Sequence, residues 1–458
     1  MGSGGSWPKC GNALETQSSK AGSRRHLADL TPLKKSPQFA RLWIGNVLNG
    51  LGTQLTLVAV ALQIFDISKS TTAVALVGGI ALIPMVLAGP IGGMITDAFD
   101  RRLVMIVSAS VMFAATAGLF VLSILEQQAV TDGGHTALWP FYVCTTLTAV
   151  SATVLGGARQ AVIPRILPKE LLTRASALNG ISMGTQIMAG PALAGILVAL
   201  STYSVAFACD LALTATGFLG IAMLPKIKVA EDAIRPGWKS FKESMEFLRT
   251  APHIRAGFVV DIIAMGLGRP YVLLPAAAAS IIGGGPITVG ILTAAGAAGS
   301  FATSAFSGRV VHIRMQGLAI ANSVKVYGLF TALFGMVLLA MGSGSFGHPT
   351  ASLAGANLPA LVIAALAFFG MGASDEVSAI FRTSMLLSSV PDQMRGRLQG
   401  IFLAVVGGGP RLGDIYAGAM AAAVGLWAGP LFGGVGIALA MFLILRVTPR
   451  LRNFQPEL

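Results

Sequence analysis

The stretch Gly92-Gly93-Met94-Ile95-Thr96-Asp97-Ala98-Phe99-Asp100-Arg101-Arg102 sets the fold class. Some twenty apolar residues, Ala73 to Ile95, precede its charges, and some twenty more, Leu103 to Leu125, follow them. Each run is long enough for a helix to cross a hydrocarbon layer of about 30 Å. The few charged residues between them are too short to cross back. The two runs therefore form an antiparallel hairpin with its turn at one membrane surface. Gly92 and Gly93 let a neighbouring helix backbone approach. Asp97 lies one turn beyond Gly93. Arg101 and Arg102 are placed to reach back to Asp97 or forward to the C-terminal end of another helix. The simpler reading is the basic turn of any polytopic protein.

The composition agrees. Of 458 residues, 54% are hydrophobic and only 11% charged, with a mean hydropathy of +0.74. A soluble domain usually carries about 25% charged residues. The 56 glycines suit helices packed through small residues. The net charge of +13 is spread along the chain and gathers on no soluble face, so it gives no nucleic-acid footprint. Cys10, Cys144 and Cys209 have no metal-ligand or disulfide spacing. There is no phosphate-binding Gly-x-x-x-x-Gly-Lys-Ser/Thr loop, no Cys/His cluster and no nucleophile elbow. An enzyme, a cofactor and a metal site are therefore not expected. The polar start has no apolar core of a cleavable signal peptide.

Apolar runs predict twelve spans, at about 39–65, 73–97, 103–125, 138–158, 175–199, 203–224, 256–280, 287–308, 317–341, 358–386, 398–423 and 425–446. Residues 1–38 form a polar basic tail, 225–255 a linker and 447–458 a second basic tail. Within the linker, Ser240 to Leu248 reads as an amphipathic helix lying on the membrane surface. Lys and Arg concentrate in both tails and in the loops after the even-numbered spans up to span 10. Lys69 is the one basic residue in the opposite set of loops. Both termini are expected in the cytoplasm.

The chain repeats itself. Pro37 and Gly93 recur as Pro252 and Gly308, an offset of 215. Arg159, Pro168, Arg174, Gly190 and Gly195 recur as Arg382, Pro391, Arg397, Gly413 and Gly418, an offset of 223. The shift fits a longer loop near 342–357. Two parallel six-span bundles, 39–224 and 256–446, follow from this. The second hairpin has His312 where the first has Asp97.

A charge at bilayer depth costs several kcal/mol unless paired or hydrated, so such residues are functional candidates. They are Asp210, Asp261, Arg269, Lys325, Asp375, Glu376, Arg411 and Asp414. Arg411 and Asp414 are spaced to pair on one helix face. Asp261 and Arg269 share a face, two turns apart, too far for direct contact. Asp375 and Glu376 are adjacent, so a dry shared site would keep one of them protonated, as proton coupling requires; the alternative is pairing of one with Lys325 or Arg382. Asp210 is expected to be hydrated near the outer surface, and Lys325 to snorkel toward the inner one. Asn46 and Asn49 share a polar face of span 1, which must turn toward protein or water.

Gly93, Asp97, Arg101 and Arg102 match a signature of the major facilitator superfamily between its second and third helices, with Thr96 and Asp100 departing from it. Gly190, Pro191 and Gly195 in span 5 resemble the signature of the superfamily's drug/proton antiporters, with Ala194 in place of a glycine. Over Leu30 to Arg446 the chain is similar to the enterobactin-exporter branch, through Leu33-Lys34-Lys35-Ser36-Pro37-Gln38-Phe39, the hairpin, Arg269 with Pro275, Arg397 and Gly413-Asp414. Asp375-Glu376 is not part of that pattern. The resemblance implies a monomeric proton antiporter in the bacterial cytoplasmic membrane, exporting a siderophore or drug-like molecule. It makes the hairpin a gating element. Asn46, Asn49, Arg269, Lys325 and Arg411 become cavity candidates, and Asp375, Glu376, Asp261 and Asp414 proton-coupling candidates. Nutrient uptake, a non-transporting receptor and a membrane-embedded enzyme are the rival readings.

Overall fold

The computed structural model describes residues 30–168, 171–224, 246–306, 315–342, 355–389 and 392–448. Residues 1–29 and 449–458 of the tails, residues 225–245 of the linker with most of its expected surface helix, the second hairpin's Gly308 to Arg314 and most of the 342–357 loop lie outside these residues. The described chain is all helix and connections. A short α1 (Thr31–Lys35) leads into α2 (Pro37–Ser68), α3 (Thr71–Ala98), α4 (Arg101–Thr131), α5 (Trp139–Ile166), α6 (Leu172–Leu200) and α7 (Tyr203–Ala222). The second set is α8 (Pro252–Gly268), α9 (Leu274–Ser280), α10 (Gly285–Ala305), α11 (Gln316–Gly342), α12 (Leu358–Ser389), α13 (Asp392–Ala423) and α14 (Ala428–Val447). Local chemistry starts these helices. Ser36, Ser70 and Asp100 each cap a first turn by accepting a backbone N–H, at 3.2, 3.4 and 2.9 Å.

Among the described residues, eleven segments are long and apolar enough to cross a membrane. The expected eleventh span, about 398–423, falls on the 32-residue α13, which is not among those eleven.

Span 7 is not one helix. It breaks at Arg269-Pro270, where Arg269 is extended (φ −97°, ψ 99°), as a residue before proline prefers. A 3-10 turn, Tyr271–Leu273, then leads into α9. A break inside a membrane frees backbone groups that need new partners. The Gly268 carbonyl finds two in α11: it accepts from the Tyr327 hydroxyl at 2.9 Å and from Thr331 Oγ1 at 3.4 Å.

The packing repeats as the sequence does. In the first set α2 packs on α6 and α7, α3 on α5, and α4 on α5 and α7. In the second set α8 packs on α13 and α14, α10 on α12, and α11 on α12 and α14. These are the same five pairings. Between the sets, α6 lies on α10 and α3 on α13, again a related pair. The correspondence reaches single residues. A Cβ at Gly195 would meet Pro286 O at 2.6 Å and the Cα of Gly290 at 3.0 Å; at Gly418 it would meet Ala75, with Thr71 O at 3.5 Å. Pro286 and Gly290 are Thr71 and Ala75 moved on by 215.

The two sets share one buried apolar cluster. It joins Leu55, Ala59 and Phe207 to Leu273, Phe334 and Phe368. It lies toward the end that holds the connections after α2, α4 and α6. Toward the other end the buried clusters separate: one holds Phe39, Met105 and Leu178, the other Val260, Val324 and Met441. Among the described residues, the sets are thus packed together at one end and have separate cores at the other.

Gly195→Val should lower stability by about 1–3 kcal/mol, because its side chain has only the backbone of α10 to enter. Gly93→Ala, with nothing within 4 Å of the added carbon, should leave it unchanged. Thermal unfolding of the purified variants in one detergent checks both.

Candidate functional site

The second set holds a buried ion triad. Arg382 of α12 donates Nη1 to Asp261 Oδ1 of α8, and Nη2 to Asp375 Oδ1, 3.4 Å away and two turns earlier on α12. Arg382 and Asp261 have side chains 5% and 2% exposed, whereas Asp375 is 36% exposed. Two carboxylates thus share one guanidinium, and only Asp375 has an open face. Asp261 and Arg269, expected to be too far apart for direct contact, do not pair: Asp261 has Arg382. The shared dry site expected for Asp375 and Glu376 is not formed; the alternative, pairing of one of them with Arg382, is what Asp375 shows. Neighbouring helix positions diverge by about 100°, and Glu376 turns to α10, where Ser304 donates to it at 2.6 Å.

Arg269 stands at the break in span 7. Its guanidinium lies 5.0 Å from the Tyr271 ring centroid, a cation–π distance. Its buried Nε has no hydrogen-bond partner among the described residues. Asp375 and Asp414 both lie within its electrostatic reach. Arg411 and Asp414 pair along α13 at 3.7 Å. That pair faces the first set: a Cβ on Gly78 of α3 would meet Asp414 Oδ2 at 2.9 Å and Arg411 Cδ at 3.1 Å. Lys325 of α11 is half-buried and makes no ion pair among the described residues.

In the first set the partners of the embedded Asp210 and Arg159 are neutral polar groups. Asp210 of α7 is 2% exposed, so the expectation of a hydrated carboxylate is corrected. It accepts from Thr56 at 2.6 Å, Thr214 at 3.0 Å and Thr116 at 3.4 Å, hydroxyls from three helices. Gly52 leaves room for it, since any Cβ there would collide with Asp210 Oδ1. Thr214 also lies 3.2 Å from Asn49 Oδ1. Asn46 accepts from Arg159 Nη1 of α5 and donates to Ser182 of α6 at 3.1 Å. Gln186 donates to Ser182 at 2.7 Å and to the Asn46 carbonyl at 3.2 Å.

At the hairpin, the arginines reach forward to other helices. Arg101 Nη1 donates to Ala161 O of α5 at 2.9 Å, and Arg102 Nη2 to Ala222 O, the last residue of α7, at 2.5 Å. Cations at helix C-termini are favoured by the helix dipole. The Asp97 side chain is outside the described residues. Gly93 is open, and close packing falls to Gly92 alone, 3.0 Å from Val154 for an added Cβ. In span 5, Gly190 packs on Gln54 and Leu51, while Pro191 O lies 3.2 Å from a Cβ built on Gly290. That signature therefore sits where α6 meets α2 and α10.

With this geometry in view, the sequence comparison is decisive. The profile of the transmembrane secretion effector family matches residues 27–457. The chain belongs to that family, within the major facilitator superfamily. The enterobactin exporter EntS of Salmonella choleraesuis is 24% identical over 434 residues, covering 94% of this chain and 96% of the relative. Two solved structures share the fold. A bacterial homologue of the iron transporter ferroportin, in an inward-facing state, has TM-score 0.66 at 14% identity, over 90% of this chain and 98% of that one. A D-xylose–proton symporter has TM-score 0.64 at 14% identity, over 91% and 98%. This transmembrane secretion effector is thus a multi-pass membrane transporter, not an enzyme.

Sequence reasoning missed Arg159 as a site residue and missed the threonine cradle of Asp210. The signal for Arg159 was its recurrence as Arg382. For the threonines there was none, because their convergence comes from packing of three helices.

Breaking the triad should be costly in a specific way. Arg382→Gln leaves Asp261 buried without a counter-charge and should cost about 3–5 kcal/mol. Adding Asp261→Asn to Arg382→Gln should restore part of that loss. Unfolding midpoints of the two singles and the double variant give the comparison.

Proposed function

We propose that this protein is a secondary exporter of a small amphipathic organic molecule, driven by proton influx across the bacterial cytoplasmic membrane. In this reading it is a monomer of twelve spans with both termini cytoplasmic. Residues 39–224 and 256–446 form its two bundles, joined by the 225–255 linker and flanked by the tails 1–38 and 447–458. Similarity to an enterobactin exporter along nearly the whole chain supports export and suggests a siderophore or a drug-like compound. The matching pairings within the two sets support the division into bundles. The separate cores at the end holding the termini support a state open toward the cytoplasm.

One observation carries the coupling: Asp261 and Asp375 share Arg382, and only Asp375 is accessible. A proton on Asp375 leaves a neutral Asp261–Arg382 pair, so the site can load and unload without stranding a buried charge. Asp375 is then the coupling carboxyl, ahead of Glu376, Asp261 and Asp414. Arg269, at the break of span 7, belongs to the substrate cleft together with Asn46, Asn49, Lys325 and Arg411. Discontinuous helices mark such clefts in transporters. The hairpin Gly93, Asp97, Arg101 and Arg102 acts as a gate, its arginines holding the ends of α5 and α7 in the present state.

Proton-coupled uptake is the second reading, since a sugar–proton symporter shares the fold. Comparing metabolites of cells with and without the gene identifies the substrate, and accumulation in inverted vesicles gives the direction. In proteoliposomes with that substrate, Asp375→Asn should still exchange it down its own gradient but no longer concentrate it with an imposed pH difference. Glu376→Gln should keep full pH-driven accumulation. Full coupling in Asp375→Asn would place the proton elsewhere.

A further inference from the structure

The two arginines recurring at an offset of 223, Arg159 and Arg382, have unequal partners. Arg382 meets Asp261 across α12 and α8. Arg159 meets Asn46 across α5 and α2. Asn46 moved on by 215 is Asp261, so the two couples are one contact built twice. In the second copy the guanidinium has a carboxylate opposite it and another, Asp375, on its own helix. In the first copy an amide stands opposite, and the position equivalent to Asp375 is Ala152. Arg159 therefore keeps its charge without a carboxylate partner among the described residues.

The surroundings hold that arrangement in place. The Asn46 amide oxygen faces Arg159 because its Nδ2 is held by Ser182, which also accepts from Gln186. Asp210, the embedded carboxylate of this set, is turned to Thr56, Thr116 and Thr214. It is linked to this region only through Thr214, beside Asn49. A gap of about 20 Å³ between α2, α4, α5 and α7, room for one oxygen-sized group, is lined by Asn46, Asn49, Arg159 and Thr214, with Leu155 and Phe218 among its apolar walls. Arg159 makes one hydrogen bond among the described residues, so its remaining N–H groups are free for a ligand at that cavity. A guanidinium presents donors in a planar fork that matches a carboxylate.

We propose that Arg159 is the anion subsite of this transporter, receiving an acidic oxygen group of the transported molecule. Asn46 is the neutral stand-in for the carboxylate that occupies its counterpart in the second set. The substrate class that follows is a small organic acid with an apolar body. This deepens the exporter reading and rests on it.

The test is binding without flux. Purified protein in detergent is melted with salicylate or with salicylamide, its neutral amide. Salicylate should raise the wild-type melting temperature and salicylamide should not. Asn46→Asp supplies the missing carboxylate, so it should weaken salicylate binding by about thirtyfold or more. Without ligand it should melt at or above the wild type, because the lone cation gains a partner. Arg159→Gln should also lose the response, and Arg159→Lys should keep part of it. Equal shifts by the two probes, no shift of the wild type by salicylate, or an unchanged salicylate response in Asn46→Asp would overturn the subsite. An exporter that ignores salicylate loses only this proposal. A protein that binds salicylate through Arg159 but moves no metabolite keeps the subsite and loses the export reading.

Discussion

A charge held in hydrocarbon must find its partner within the protein, and the contact of Arg382 with Asp261 and Asp375 is the strictest instance here. Neither Arg382 nor Asp261 has water to fall back on. The pair fixes α12 against α8 at one depth and rotation. It also leaves Asp375 as the one member whose charge can change without leaving a buried ion alone. The same constraint explains the other embedded polar groups. Arg411 neutralises Asp414 along its own helix, and three threonines solvate Asp210. Arg269 rests on an aromatic ring at a helix break whose freed carbonyl is taken up by Tyr327 and Thr331.

Close helix contact is the complementary constraint. Lipid offers no hydrophobic drive between helices, so small residues that let backbones approach supply the packing. Gly195 against Gly290 and Gly418 against Ala75 are equivalent positions under the two offsets, and both join one set to the other. The apolar cluster common to the sets lies near these contacts, at one end of the molecule. Two sets with a common buried cluster at one end and separate cores at the other are an arrangement that alternating access can use.

Much of this was legible in the sequence. Run lengths anticipated the eleven membrane-length segments of the described residues, Lys and Arg gave the expected orientation, and two offsets anticipated the repeated packing. The local Arg411–Asp414 pair was legible because both residues share a helix. Partners on different helices were not. Spacing along one helix fixes direction, not what stands opposite, so Asp375 and Glu376 read as one site although they face different helices. The break at Arg269-Pro270 was hidden because the apolar run continues through it, though Pro270 carried the signal. Asp210 read as hydrated because its threonines come from three separate segments. The Asn46–Arg159 couple was within reach had both offsets been applied to the same pair of residues.

The central claim is that two bundles exchange contact at one end for contact at the other. Spin labels on the exposed Ser201 and Ala279 report one end, and labels on the exposed Arg165 and Ala305 report the other, in a protein freed of Cys10, Cys144 and Cys209. Distances between each pair are measured by double electron–electron resonance as pH is carried through the carboxylate range, with and without Asp375→Asn. The account predicts a short Ser201–Ala279 distance in the present state. A longer population should grow there with pH as the Arg165–Ala305 distance shortens, and Asp375→Asn should remove that dependence. Two fixed single distances that respond to neither pH nor the substitution would contradict it.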